Sequence, residues 1–597
     1  MDNNPTENKK SEFLPHLIIL AAFFLLLSQT WLKWGSLIVD TGRELWLPGE
    51  LLKGKVLYRD IVSYYGFLPA YLIAGLYEVF GIGINTLVYA GIAVTLITSF
   101  TVYRISRFFL DQGFSTLLVI NFLFVFAFAG YCIYGIFNWI LPYSFATTLF
   151  MMFTALSLYY FLKFIFWGNE QNLAIWTVFL TAAFLCRLES ALTVWPAFFV
   201  TSLMPAIPRQ NIRRFKMLTY TTSPLAASAL LYGLFFAITH TFHAFWQMFT
   251  GSIHFHINTP FYRELMGTDN IPLSLSRISL SFLITIAVFI GLAIICRVTN
   301  SLYKDESPVK TIIPILAAFI FFILIKQFSL YGIQYNCLIL VLFCGTIAYL
   351  FQALNRTAAP RSIGLLILFT ISFLIASRIL LNTTPFEYGF FLLATPLICY
   401  YIFFADLFKN MLERHLKIPA EPLSAAIACF MILMIIPYWE FSRVNYNDYS
   451  RFVATAKGNR YCLHNAQTEV VCKTTDYIKN NTPQNSTVAV FPEGVGINFF
   501  TSRALPLKYH GFLPPDIRLF GEDKILSEIK AAKIDYIVII ARYTGDMGAG
   551  PFGIAYAQKI KKWIDDNYAP VKQFGTTPYI SCKWCRCAGA LILKKRF

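Results

Sequence analysis

The sequence predicts a polytopic α-helical membrane protein of about thirteen transmembrane helices, carrying a C-terminal extracytoplasmic α/β domain. Three observations lead there. The 597 residues are 57% hydrophobic and only 14% charged, against about 25% charged in ordinary soluble domains. Apolar runs near the ~20 residues that cross a hydrocarbon core of about 30 Å follow one another along the chain. After Trp439 the composition turns mixed over a length typical of one domain. The net charge of +17 raises nucleic acid as a partner, but the basic residues sit mostly in short loops between apolar runs, where they orient a chain in a membrane. No nucleic-acid partner is expected.

The apolar runs lie near 17–34, 83–103, 114–131, 142–162, 172–187, 190–206, 218–239, 276–296, 310–326, 335–353, 362–380, 388–405 and 423–438. The first shows no small-residue cleavage site and more spans follow, so it reads as a retained helix. Thirteen crossings place the two chain ends on opposite faces. One set of loops holds Lys9 and Lys10, Arg104 and Arg107, Arg209 to Lys216, Arg297 to Lys310, Arg356 and Arg361, and Lys409 to Lys417. The positive-inside bias makes these cytoplasmic. Apart from the opening stretch, the opposite loops hold only the single basic residues Arg187, Arg263, Arg277, Lys326 and Arg378. The N-terminus is therefore expected inside and the C-terminal domain outside. The fifth and sixth runs are separated only by CRLES. Fusing them would flip everything downstream and carry the basic loop at 209–216 outside, which argues for two helices.

The domains are expected at 1–439, with an outer amphipathic loop at 35–82, and at 440–597. In the second, Val488–Phe491 and Tyr536–Ile540 read as short buried strands, while Glu522–Lys533 and Ala555–Asn567 have helical periodicity, an α/β alternation. It holds no GxGxxG fingerprint, P-loop, zinc-finger spacing or serine-hydrolase elbow. Of twelve cysteines, seven fall in or beside apolar runs as small hydrophobes. The others are Cys462, Cys472, Cys582, Cys585 and Cys587. Oxidation outside the cytoplasm suggests a bridge such as Cys462 to Cys472, plus one among the last three.

The stretch from Val39 to Pro69 carries the chemistry. It follows the first apolar run and mixes Asp40, Arg43, Glu44, Glu50, Lys53, Lys55, Arg59 and Asp60 with Trp46, Leu47, Leu51, Leu52, Val56 and Leu57. That pattern suits an amphipathic segment lying along the membrane surface. Asp40 and Glu44, at i and i+4, would face one site if the turn is helical. Alternatively, Asp40 merely caps the helix that follows it.

The order of one apolar helix, a long outer loop that opens on an acid and runs through LLKGKVLYRD into YYGFLPAY, many spans and an outer α/β domain resembles the GT-C glycosyltransferases. It is most similar to relatives of the protein O-mannosyltransferases and lipid A aminoarabinose transferases. FNWILPYS at 137–144, CRLES at 186–190, and FPEGVGINFFTSRALP at 491–506 are similar in flavour. The resemblance implies inverting transfer of a sugar from a polyprenyl-phosphate donor to an acceptor lipid, glycan or protein, at the outer face of a bacterial inner membrane. In this chain an acidic pair that is adjacent in many family members is split, as Asp40 and Glu44.

An inverting transfer needs a carboxylate base on the acceptor hydroxyl and cations for the departing phosphate. Asp40 is the expected base, with Glu44 beside it. Arg187, Lys326 and Arg378 are the expected phosphate ligands, because an arginine near the membrane needs a partner or an anion. Glu189 is the alternative partner of Arg187, and interfacial snorkelling is the alternative role of the other two. Glu189, Tyr388 and His256 are expected at the substrate. Arg59 and Asp60 read as a pair on a solvated face, and Tyr64 and Tyr65 as part of the interfacial aromatic belt. In a strand His254 and His256 would share a face, so a divalent metal stays open, though no ligand set is assigned and no cofactor is demanded. A transporter or lipid flippase with an accessory outer domain is the rival reading, and a non-catalytic assembly protein the third. No internal symmetry of paired broken helices supports transport.

Overall fold

The computed structural model describes residues 13–36, 38–131, 135–204, 214–303, 307–354, 359–580 and 588–596, without the side chains of residues 214, 252 and 254–258. Every predicted apolar run contains a helix. The series begins with Phe13–Thr30, Ile84–Ser106, Gln112–Asn121 and Phe145–Trp167, and closes with Pro360–Ala376, Ala394–Ile402 and Ala420–Leu433. Among the described residues nine helices are long and apolar enough to cross a membrane, and the chain is a multi-pass membrane protein.

The CRLES boundary falls where two helices were expected. Gln171–Cys186 and Leu188–Ser202 are separated by Arg187 alone, whose φ of −146° and ψ of 93° are extended. Trp176 and Phe198, each eleven positions from Arg187, bring their rings within 5.4 Å, so the two helices fold back as an antiparallel hairpin. At 1.5 Å per residue they are about 24 and 23 Å long, shorter than a ~30 Å core.

The Val39–Pro69 stretch departs from expectation. Its helix, Thr41–Leu52, buries Leu45, Trp46 and Leu47, and Glu50 as well. Glu50 is held by Lys53 at 2.7 Å and Lys55 at 2.6 Å. The segment is not laid open on a membrane surface, because the outer domain covers it: His510 packs its ring on Trp46, and the Val62 amide donates to Lys508 O at 3.0 Å. Arg59 and Asp60 pair with each other at 2.9 Å.

Gly66 links this stretch to the hairpin. Its amide donates to Cys186 O at 3.0 Å, and a Cβ there would stand 2.1 Å from Leu185 O and 2.6 Å from the Tyr232 hydroxyl. Gly66→Ala should therefore push Tyr65 away from Arg187, at a cost of about 1–3 kcal/mol for overpacking. The expected result is a lower Tm in detergent together with lower activity; an unchanged Tm would contradict the contact.

In the outer domain β1 (Arg451–Thr455) and β2 (Gly458–Cys462) form an antiparallel hairpin, whose turn receives the Ile84 amide at Lys457 O, 2.9 Å away. β3 (Val488–Phe491) and β4 (Tyr536–Ile540) lie where predicted and pair in parallel. The sheet order is β3-β4-β6-β5, with β5 (Tyr568–Gly575) and β6 (Gly589–Lys595) antiparallel to their neighbours. β5 escaped prediction because it is a mostly exposed edge strand containing Pro570, a residue the ladder tolerates only at an edge or bulge. The helices Glu522–Ala531 and Gln558–Asn567 match the expected periodicity, and Ala466–Asn481 adds a third. The expected Cys462–Cys472 bridge is not formed: both are buried free cysteines, and Arg460 Nε lies 3.0 Å from Cys462 Sγ. Cys582, Cys585 and Cys587 lie outside the described residues.

Candidate active site

A cavity of about 200 Å³ opens between the membrane helices and the outer domain, and Asp40, Arg187, Glu189, Arg378 and Tyr388 all line it. Its walls come from segments that follow the first, third, fifth, seventh, eleventh and thirteenth apolar runs.

Asp40 sits in a tight turn with φ 46° and ψ −56°, closed by a 2.5 Å bond from the Thr41 amide to Val39 O. A γ-turn with positive φ is rare and strained for a residue with a side chain. Asp40 precedes the Thr41–Leu52 helix, but its carboxylate makes no capping bond. It is instead turned to Arg43 Nη1 at 3.0 Å, so the capping alternative does not hold. Burial pushes the Asp40 carboxyl up to about 6, with Arg43 opposing and the charges of Glu493 and Glu44 adding to the rise.

Glu44 does not join Asp40 at the cavity. It accepts from Arg43 Nη2 at 3.2 Å and from the Phe145 amide at 2.9 Å. A carboxylate at the start of the Phe145–Trp167 helix is favoured there by exposed amides and the helix dipole. Burial pushes its carboxyl up as well. Arg43, which also donates to Tyr143 O at 2.7 Å, stands between the two acids and holds both. Sequence reasoning left it without a role, although its i+3 spacing from Asp40 was the available signal.

Arg187 is 3% exposed. It reaches Glu189 Oε1 at 2.8 Å, through both Nε and Nη2, and the Tyr143 hydroxyl at 3.4 Å. Its guanidinium lies 5.3 Å from the centre of the Tyr65 ring and 5.8 Å from that of Phe391. Arg43 stands 5.6 Å from the Tyr65 ring centre, so this tyrosine contacts two guanidiniums inside the cavity. It does not belong to an aromatic belt. Neither does Tyr64, whose hydroxyl donates to Asp516 Oδ1 at 2.5 Å. Arg378 comes from the short turn Ser377–Ile379 and lies 5.8 Å from the Tyr388 ring centre. Tyr388 stacks on Tyr262 at 6.2 Å and 11°.

Lys326 is not at the cavity. It pairs with Glu440 at 3.5 Å, with both side chains about half exposed. Exposed pairs contribute about 0–1 kcal/mol, so Lys326→Ala should leave transfer rate and donor KM within about twofold; a large rise in donor KM would restore it to the site. The side chains of His254 and His256 lie outside the described residues, and among those described no group of three or more His, Cys, Asp or Glu is arranged to hold a metal.

The outer domain supplies residues that sequence reasoning missed: Glu493, His510 and Asp516. Asp516 bonds the Leu513 amide at 3.0 Å, and burial pushes its carboxyl up to about 6. Burial pushes the His510 ring down to about 3, so it is neutral at physiological pH, within 3.1 Å of Val62 O.

The cavity lies between the segment that follows the first helix, the apolar helices and the outer α/β domain, and the fold that encloses it is shared with known structures. The chain is similar to the archaeal oligosaccharyltransferase AglB from Archaeoglobus fulgidus, solved with an inhibitory peptide and a dolichol-phosphate. The TM-score is 0.51 at 11% identity, over 97% of this chain and 75% of that one. It also aligns with ArnT from Cupriavidus metallidurans bound to undecaprenyl phosphate, with a TM-score of 0.46 at 11% identity over 97% of each. No protein family and no curated protein matches the chain by sequence.

Proposed function

We propose that the protein is an inverting glycosyltransferase that moves a sugar from a polyprenyl-phosphate donor to an acceptor hydroxyl. The observation that carries this is the meeting of Asp40, Arg187 and Arg378 at one cavity. The bound dolichol-phosphate and undecaprenyl phosphate of the two similar structures agree with such a donor.

In this reading Asp40 takes the proton of the acceptor hydroxyl as its oxygen attacks the anomeric carbon. The bond from that carbon to the phosphate oxygen breaks, and its electron pair leaves with the phosphate. Arg187 and Arg378 hold the departing phosphate, since guanidiniums match its oxygens geometrically. Tyr388 and Glu189 border the sugar. Glu44 acts by holding Arg43 and the start of the Phe145–Trp167 helix, and Lys326 has no part. In this reading the site faces the outside of a bacterial inner membrane, the side to which the positive-inside bias assigns loops poor in lysine and arginine.

The test is transfer of radiolabelled sugar from a polyprenyl carrier in proteoliposomes, by wild type and Asp40→Asn. Transfer by wild type alone supports the reading. Full activity in the variant removes Asp40 as base, and movement of lipid without transfer favours a transporter.

A further inference from the structure

Glu493 and Arg542 stand two residues beyond the carboxyl ends of the parallel neighbours β3 and β4, the place where open α/β sheets hold their ligands. Their side chains meet at 3.1 Å and are 15% and 8% exposed. Glu493 lines the same cavity as Asp40. Beside them the Tyr556 hydroxyl is buried with no hydrogen-bond partner among the described residues, in the field of Arg542, Asp516, Glu493 and Asp546. Glu493 thus brings an outer-domain carboxylate to the cavity of the base, with Arg542 held against it.

We propose that this crevice is the acceptor subsite and takes a neutral polyhydroxylated acceptor, with Glu493 and Arg542 holding its non-reacting hydroxyls while another reaches Asp40. The proposal rests on the glycosyl-transfer reading and extends it to the acceptor's chemistry. A carboxylate and a guanidinium that compensate each other call for no net charge on the ligand. Hydroxyls suit them because each can donate to the carboxylate or accept from the guanidinium. Both members couple to the base in opposite directions: the Glu493 charge adds to the proton affinity of Asp40 and the Arg542 charge subtracts from it.

The test offers methyl glycosides of neutral hexoses, of glucuronic acid and of glucosamine as acceptors to the full-length protein in proteoliposomes. Neutral hexosides should be preferred. Glu493→Gln should raise their KM tenfold or more, leave donor KM unchanged and move the acidic limb of the kcat/KM profile to lower pH, with Glu493→Asp recovering part of the loss. Arg542→Gln should raise acceptor KM in the same way. An unchanged acceptor KM in Glu493→Gln, a rise in donor KM instead, or a preference for a charged glycoside overturns the subsite. Hexoside binding to wild type and Glu493→Gln, read by saturation-transfer NMR, separates the two claims. Binding lost in the variant keeps the subsite even if wild type transfers no sugar, and equal binding or none to either protein overturns it.

Discussion

Asp40→Asn is expected to lower kcat/KM for sugar transfer by about 10²–10⁴-fold, the range contributed by a positioned general base. The substitution keeps the shape of the side chain and removes the proton-accepting charge. Arg43 keeps its partner Glu44, so the turn and the Thr41–Leu52 helix should persist. Two further measurements separate catalysis from folding. With the Asp40 carboxyl raised from 3.8 to about 6, the base is charged only above that value, and wild-type kcat/KM should fall about tenfold per pH unit below 6. That limb should vanish from whatever activity the variant retains. For stability the sign runs the other way. A folded pKa above the unfolded one favours the native state at low pH, and this contribution is lost as pH rises through about 6. At pH 7–8 the charged carboxylate therefore weighs against folding, and Asp40→Asn should leave Tm equal or higher. Lost activity with a sharply lower Tm would point to a structural acid.

Arg187→Gln carries the second largest effect, on donor binding. A hydrogen bond to a charged group is worth about 1.5–3 kcal/mol, which corresponds to a rise of roughly 10- to 150-fold in donor KM. Lysine at this position should recover only part, because a point charge cannot reproduce the two-pronged contact of a guanidinium. The variant also strips Glu189 of its partner. The Glu189 side chain is 31% exposed, so water can take part of that role, and Arg187→Gln combined with Glu189→Gln removes the stranded charge altogether. If donor KM stays high in the double variant while Tm returns to the wild-type value, Arg187 is a phosphate ligand. If donor KM returns with Tm, the arginine serves the hairpin alone.

Much of this site was legible one segment at a time. Asp40 stood out as an acid at the top of a span, and Arg187 and Arg378 as basic residues on a face that the positive-inside bias depletes. Arg43, Tyr65, Glu493 and Asp516 did not stand out. Arg43 carried only the weak signal of its spacing from Asp40, and the others are ordinary residues in their own neighbourhoods, placed by contacts with distant parts of the chain such as that of Tyr64 with Asp516. Lys326 failed for the converse reason: it carries the same local signal as Arg378, but its helix delivers it to Glu440.

The sequence by itself determined where the apolar helices lie, that CRLES divides two helices, and that β3 and β4 form the buried core of the outer sheet. These follow from hydrophobic period and length, which are local properties of the chain. Only the tertiary structure decided that Asp40 faces a cavity while Glu44 faces a helix terminus, and that the outer domain covers the opening stretch and adds its own carboxylates. Those outcomes depend on which surfaces close over one another, because burial and opposing charge act through space between residues that no sequence interval connects.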